Sequence, residues 1–287
     1  MTTRTTYTIG VPDRRMLAFA IEAVLPHAGR DDTLPVLETV AFQAQGGILA
    51  LTATDRYSLA RYRIELSPDT GGFLPLTLLP RARAVELAKM LKAPKSHPLH
   101  PVTLTVEQQT LPAEEMGERV EEAVTWVSKL TVNVDTYGTA PAPTSVYYLD
   151  LHGQFPAVEN LVRMNTKEPK RQTKAEKAKD TVSYAPTQLS GPVGITAENL
   201  AKLAKASANG MPLLFWFNGE TKPVHVTSGG DFYALVMPVR NAGDFPVPSV
   251  PFALPEVPAP TPAKTDELAP AVTTTPDIAT VPGEQSS

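Results

Sequence analysis

The sequence predicts an α+β fold with largely antiparallel sheets. Strand-like runs far outnumber helical ones. The strands follow one another in hairpin-like series rather than alternating with helices. One helix-and-strand pattern also recurs later in the chain.

In order, residues 7–11 (YTIGV) read as a strand. Asp13 then stands where an N-cap belongs, before the helical run 14–25 (RRMLAFAIEAVL). Residues 37–44 and 48–55 flank Gly46-Gly47 and read as a hairpin, and 58–66 continues as a strand. Residues 73–79 form another strand, followed by Pro80 and the helical run 81–92 (RARAVELAKMLK). Strands are expected at 102–106, 123–134 and 145–153. A shorter second body then holds 192–195, the helical run 197–206 (AENLAKLAKA), 212–218, 223–227 and 231–240.

The repeat links the two helical runs after the first. Residues 87–92 (LAKMLK) match 200–205 (LAKLAK) at an offset of 113, and each is followed by a proline-led apolar strand. On a helical wheel Ala84, Leu87, Ala88 and Leu91 share one stripe, with Arg81, Lys89 and Lys92 on the other side. Ala197, Leu200, Leu203 and Ala204 form the matching stripe, with Lys202 and Lys205 opposite. Each stripe is expected to pack on a sheet and each lysine pair to face outward.

Composition sets the organisation. Residues 163–180 are polar and basic and read as a linker or exposed loop. From residue 244 onward prolines recur among Thr, Ala and Val, a composition that cannot bury a core and reads as a disordered tail. The expected units are therefore 1–162, the linker 163–180, a reduced second domain 181–243, and the tail 244–287. The net charge is −4, but 241–287 holds six acids against Lys264, so residues 1–240 carry a net +1. Any nucleic-acid binding must come from where the cations sit rather than from bulk charge.

With no cysteine there are no disulfides and no thiolate chemistry. The first residues carry no apolar run, and no segment reaches the roughly 20 apolar residues of a membrane span, so a cytoplasmic location is expected. No phosphate-binding glycine loop or nucleophile elbow is present. His97 and His100 lie in a proline-bracketed stretch without nearby acids and read as a surface loop. Asp55 follows a strand and reads as a turn former, because its carboxylate accepts nearby backbone N–H groups. No catalytic residue, cofactor or metal is expected.

Three segments then carry a resemblance: Thr33-Leu34-Pro35-Val36-Leu37 with the hairpin ending Ala53-Thr54-Asp55 and Ser58-Leu59-Ala60; Gly153-Gln154-Phe155-Pro156; and Met237-Pro238-Val239-Arg240. Together they resemble the bacterial sliding clamp, the beta subunit of the replicative DNA polymerase. The resemblance implies the DNA-clamp fold, with antiparallel sheets outside and paired helices lining an inner channel. It implies a homo-oligomeric ring, three two-domain chains closing a six-unit ring, that encircles duplex DNA without sequence specificity and tethers a polymerase. It places DNA contacts at Arg30, Arg81, Lys89, Lys92, Lys202 and Lys205. It also implies a pocket for short peptides of polymerases and the clamp loader, lined by Thr54, Arg56, Tyr57, Leu59, Pro156, Leu161, Leu235, Met237, Pro238, Val239 and Arg240. Two rivals stand beside it: a clamp-derived peptide-binding or clamp-regulating protein that does not encircle DNA, and an enzyme of unknown class. The room for only two domains, the second reduced, departs from the family's usual three.

Overall fold

The computed structural model describes residues 2–70, 72–92, 100–111, 124–136, 143–149, 154–158, 193–207, 210–217 and 222–239. The described residues all belong to one compact unit. The linker 163–180, the tail, Leu161 and Arg240 lie outside the described residues.

The first half-domain is β1 (Thr3–Val11), α1 (Arg14–Val24), a 3-10 turn (Leu25–His27), β2 (Thr39–Gln45), β3 (Ile48–Thr54) and β4 (Ser58–Glu65). The second repeats the plan with β5 (Leu74–Pro80), α2 (Arg81–Leu91), β6 (Val102–Leu111), β7 (Val124–Val134) and β8 (Thr144–Tyr148). A third motif adds α3 (Ala197–Leu203), β9 (Leu214–Trp216), β10 (Val224–Ser228) and β11 (Phe232–Val236).

The two half-domains exchange their first strands. β1 leaves its own motif to pair with β6, giving a four-stranded sheet β1-β6-β7-β8. β5 likewise pairs with β2 in a seven-stranded sheet β5-β2-β3-β4-β11-β10-β9. All pairs are antiparallel. The strands of the expected second body thus continue the sheet of the first through β4 and β11.

Alternation explains the layers. Ile9, Val11, Leu104, Val106, Leu130 and Val132 point to one buried core, with Thr105 and Thr131 alternating onto the other face. Gly46 and Gly47 both take positive φ, 61° and 79°, as a two-residue hairpin turn needs. Asp13 caps α1 as expected, its carboxylate accepting the Arg15 N–H at 3.0 Å.

The helix ends hold one another. At the start of α1, the Arg14 guanidinium donates to the carbonyls of Met90 (2.6 Å), Leu91 (2.8 Å) and Lys92 (3.1 Å), satisfying the last carbonyls of α2. At the start of α2, Arg81 donates to the Ala28 carbonyl at 3.2 Å, just past the turn that ends α1. The α2 stripe Ala84, Leu87, Ala88 and Leu91 is buried, with α1, β2 and β5 packed against the helix.

Two expectations change here. In α3 the buried residues are Asn199 and Leu203, while Ala197, Leu200 and Ala204 are exposed. His100 is buried rather than on a surface loop, its Nδ1 lying 2.8 Å from the Asp135 carbonyl.

Candidate functional site

The β4–β11 seam builds an apolar cluster on the face of the seven-stranded sheet away from the main core. Leu59 and Leu235 stand opposite one another in the register, so their side chains emerge side by side. Val158 covers both, and Phe155 and Tyr233 pack around them. A cleft of about 200 Å³ runs alongside, lined by Ala41, Gln43, Thr52, Arg61, Leu76 and the chain from Phe155 to Val158, Pro156 included. Met237, one strand position beyond Leu235 and its neighbour, is exposed at the rim. Neither Val158 nor the closeness of Phe155 to β11 was signalled by the sequence pattern.

The turn from β3 to β4 frames this seam. Asp55 organises it: its Oδ1 accepts from the Tyr57 N–H (3.0 Å), the Ser58 N–H (2.7 Å) and the Ser58 hydroxyl (2.9 Å). Arg56 takes φ 79°, the one positive φ at a non-glycine among the described residues. The Thr54 hydroxyl donates to the Ser58 carbonyl at 2.8 Å. Met237 N–H donates to the Tyr57 carbonyl at 2.9 Å, extending the β4–β11 ladder into the turn. Pro238 is buried, and Val239 N–H donates to the Gly194 carbonyl at 2.8 Å.

The expected pocket residues therefore divide. Leu59, Leu235, Met237 and Pro156 gather at the seam. Arg56 and Tyr57 line a different cleft of about 330 Å³ together with Arg30, Asp31, Glu198 and Lys202. Arg56 reaches Asp31 there at 3.2 Å.

The cations also divide. Lys202, expected to face outward, instead places its Nζ 2.6 Å from Asp55 Oδ2, with side chains only 13% and 15% exposed. Burial alone would raise the Asp55 carboxyl, but the Lys202 ammonium and the Ser58 donors outweigh it and hold the group below the usual carboxylate range. Arg81 is half-buried and committed to Ala28; burial and then the nearby Arg30 lower its hold on its proton. Lys92 is exposed and pairs with Glu22 at 2.7 Å. Arg30, Lys89 and Lys205 are exposed. Lys205 follows the last turn of α3 rather than lying within it.

Beneath the Asp55–Lys202 pair lies His27, fully buried, with neither ring nitrogen hydrogen-bonded. Burial pushes its pKa down to about 4, with Asp55 opposing and Lys202 reinforcing the shift. Among the described residues no cluster of three acidic or histidine side chains is placed to hold a metal, and no helix is long and apolar enough to cross a membrane.

Helices packed on antiparallel sheets, with paired half-domains that exchange first strands, define the DNA-clamp class. The resemblance read from the sequence holds. Residues 13–121 match the family described as DNA polymerase III beta subunit, central domain. The beta sliding clamp of Micrococcus luteus is 34% identical over 82 residues, which is 29% of this chain and 26% of that protein. The beta sliding clamp of Streptomyces coelicolor is also 34% identical over 82 residues, 29% of this chain and 22% of that one. The match spans about a quarter of these curated relatives. A structure from Eubacterium rectale, assigned as a DNA polymerase III beta subunit, has a TM-score of 0.50 and 10% identity, covering 83% of this chain and 66% of that one. That likeness is one of fold.

Proposed function

We propose that this chain is a non-catalytic sliding-clamp subunit. It holds duplex DNA without reading its sequence and carries a DNA polymerase by binding a short peptide at the β4–β11 seam. The observation that carries the reading is the apolar cluster of Leu59, Leu235 and Val158, with the rim at Met237 and Pro156 beside an open cleft. Two adjacent leucines with an adaptable methionine suit a site that takes several apolar peptides. The exposed Arg30, Lys89 and Lys205, with Lys92 beside them, supply phosphate contacts that hold DNA and leave it free to slide.

A second reading is a clamp-derived peptide-binding protein that does not encircle DNA. What favours it is that Lys202 and Arg81 are spent inside the protein. The test titrates a fluorescent polymerase-derived clamp peptide and, separately, circular duplex DNA. The clamp reading expects both to bind. It expects Leu59→Ala with Met237→Ala to abolish peptide binding while the far-UV spectrum is unchanged. Peptide affinity equal to the parent's in that folded double variant refutes the site. Peptide binding without any binding to circular DNA selects the second reading.

A further inference from the structure

A row of directly opposed residues crosses the seven-stranded sheet from the seam outward. Leu59 on β4 stands opposite Leu235 on β11, Leu235 opposite His225 on β10, and His225 opposite Trp216 on β9. Opposed residues share a face and lie side by side. The apolar cluster at the β4–β11 seam therefore runs on, through an imidazole, to an indole that is 58% exposed. Leu214, two positions before Trp216 and so on the same face, is exposed as well.

His225 is the polar member of this row, and it is only 8% exposed. Its Nδ1 lies 2.9 Å from the Tyr233 hydroxyl, and the two rings meet edge to face at 5.8 Å. Its Nε2 is buried without a hydrogen-bond partner. Among the described residues only the two ring nitrogens of His27 share that condition. His27 sits beneath the Asp55–Lys202 pair, whereas His225 stands between the seam and an exposed aromatic ring. A buried polar atom left unpaired weakens the folded state, and a ligand that pairs it recovers that cost on binding.

We propose that the peptide site of the seam continues along this row, with Trp216 as a second apolar anchor and His225 as the polar group between the anchors. The Tyr233 hydroxyl donates to His225 Nδ1, which leaves the imidazole proton on Nε2. That N–H donates to a main-chain carbonyl of the bound peptide, and the Trp216 ring, directly opposite His225, turns to admit it. Strands lie about 4.8 Å apart, so three spacings put Trp216 about 14 Å from Leu59, the reach of about four extended residues. The partner this fits is an extended peptide with two apolar side chains about four residues apart. The first sits on Leu59 and Leu235, the second on the indole. The inference rests on the seam as a peptide site and adds the residues that choose among peptides.

The test uses the fluorescent polymerase-derived clamp peptide and two shortened forms, one lacking the residues before its apolar anchor and one lacking those after it. Trp216→Ala should weaken the full peptide about tenfold. It should weaken one shortened form equally and leave the other, which no longer reaches Trp216, unchanged. His225→Phe removes the donor and should cost about tenfold, whereas His225→Gln keeps an N–H near the position of Nε2 and should stay within about threefold of the parent. The chain has two tryptophans, so in Trp126→Phe the indole emission comes from Trp216 alone. Saturation with unlabelled full peptide should shift that emission to the blue. Melting curves report the folding of each variant. Parental affinity in Trp216→Ala overturns the proposal, as does Trp216 emission that does not move at saturation, or equal affinity in folded His225→Phe and His225→Gln. If Leu59→Ala with Met237→Ala still abolishes binding in those cases, the seam stands and only its continuation falls. A parent chain that does not bind the full peptide overturns both.

Discussion

His27 should give this protein an acid limb in its stability that one substitution removes. Its ring is fully buried and neither nitrogen has a partner, so the folded state favours the neutral form. The folded pKa of about 4 lies below the unfolded value of 6.5. Between those values the unfolded chain binds more protons than the native one, so stability rises with pH from about 4 to 6.5 and is fully present above. At roughly 1.4 kcal/mol per pH unit, the whole window is worth about 3 kcal/mol, and about 2 kcal/mol is already lost at pH 5. Asp55 adds its own loss only further down, as pH falls through its depressed folded value. His225 is also lowered by burial and contributes in the same direction, so the informative comparison is between variants. His27→Leu fills much the same space without polar nitrogens. It should equal or exceed the parent at pH 7.5 and lose about 2 kcal/mol less between pH 7.5 and 5. The assay is urea unfolding at fixed protein concentration. A variant whose stability falls as steeply as the parent's over that interval would refute the assignment.

Two further outcomes follow. Lys202→Met should destabilise the protein by about 3 kcal/mol, since removing one partner leaves the part-buried Asp55 carboxylate uncompensated; Lys202→Met with Asp55→Asn should cost less than the two singles added, as measured by a denaturant double-mutant cycle. In DNA titrations across salt concentrations, alanine at Arg30, Lys89 and Lys205 should each flatten the log–log salt slope by roughly 0.9, and a folded triple variant with the parent's slope would remove these residues from the DNA surface.

Local chemistry made much of the architecture readable. Asp13 as an N-cap, Gly46-Gly47 as a hairpin turn and Asp55 as a turn former each act within a few residues, and the structure has all three. Helical periodicity also sorted α2 and α3 into faces, but it cannot say whether anything sits on a face. The α2 stripe is buried because α1 lies across it; α3 carries the same stripe without such a neighbour among the described residues. Long-range pairing was the other limit. Lys202 has the spacing of a solvent-facing lysine, and its partner Asp55 is 147 positions away. Arg81 looked like a phosphate ligand because nothing in sequence marks the Ala28 carbonyl as its acceptor. Leu59 and Leu235 came together through the resemblance, whereas Val158, which covers them, carries no motif.

The exchange of first strands bears on how the chain is made. β1 meets β6 in a register running from Val11 opposite Val102 to Thr3 opposite Thr110. During synthesis β1 therefore waits about 90 residues for its partner, roughly 5 to 20 seconds at ordinary synthesis rates. β4, likewise, is not joined on its far edge until β11 arrives, with Leu59 waiting for Leu235. During that interval only β2, β3 and β4, with their short turns, close into sheet quickly. Pairing at such separations makes refolding slow compared with helical proteins of similar length. The open flank of β4 is then the surface a chaperone has longest to bind, and the folding-rate signature to look for is a fast hairpin phase followed by a slower one that depends on β11.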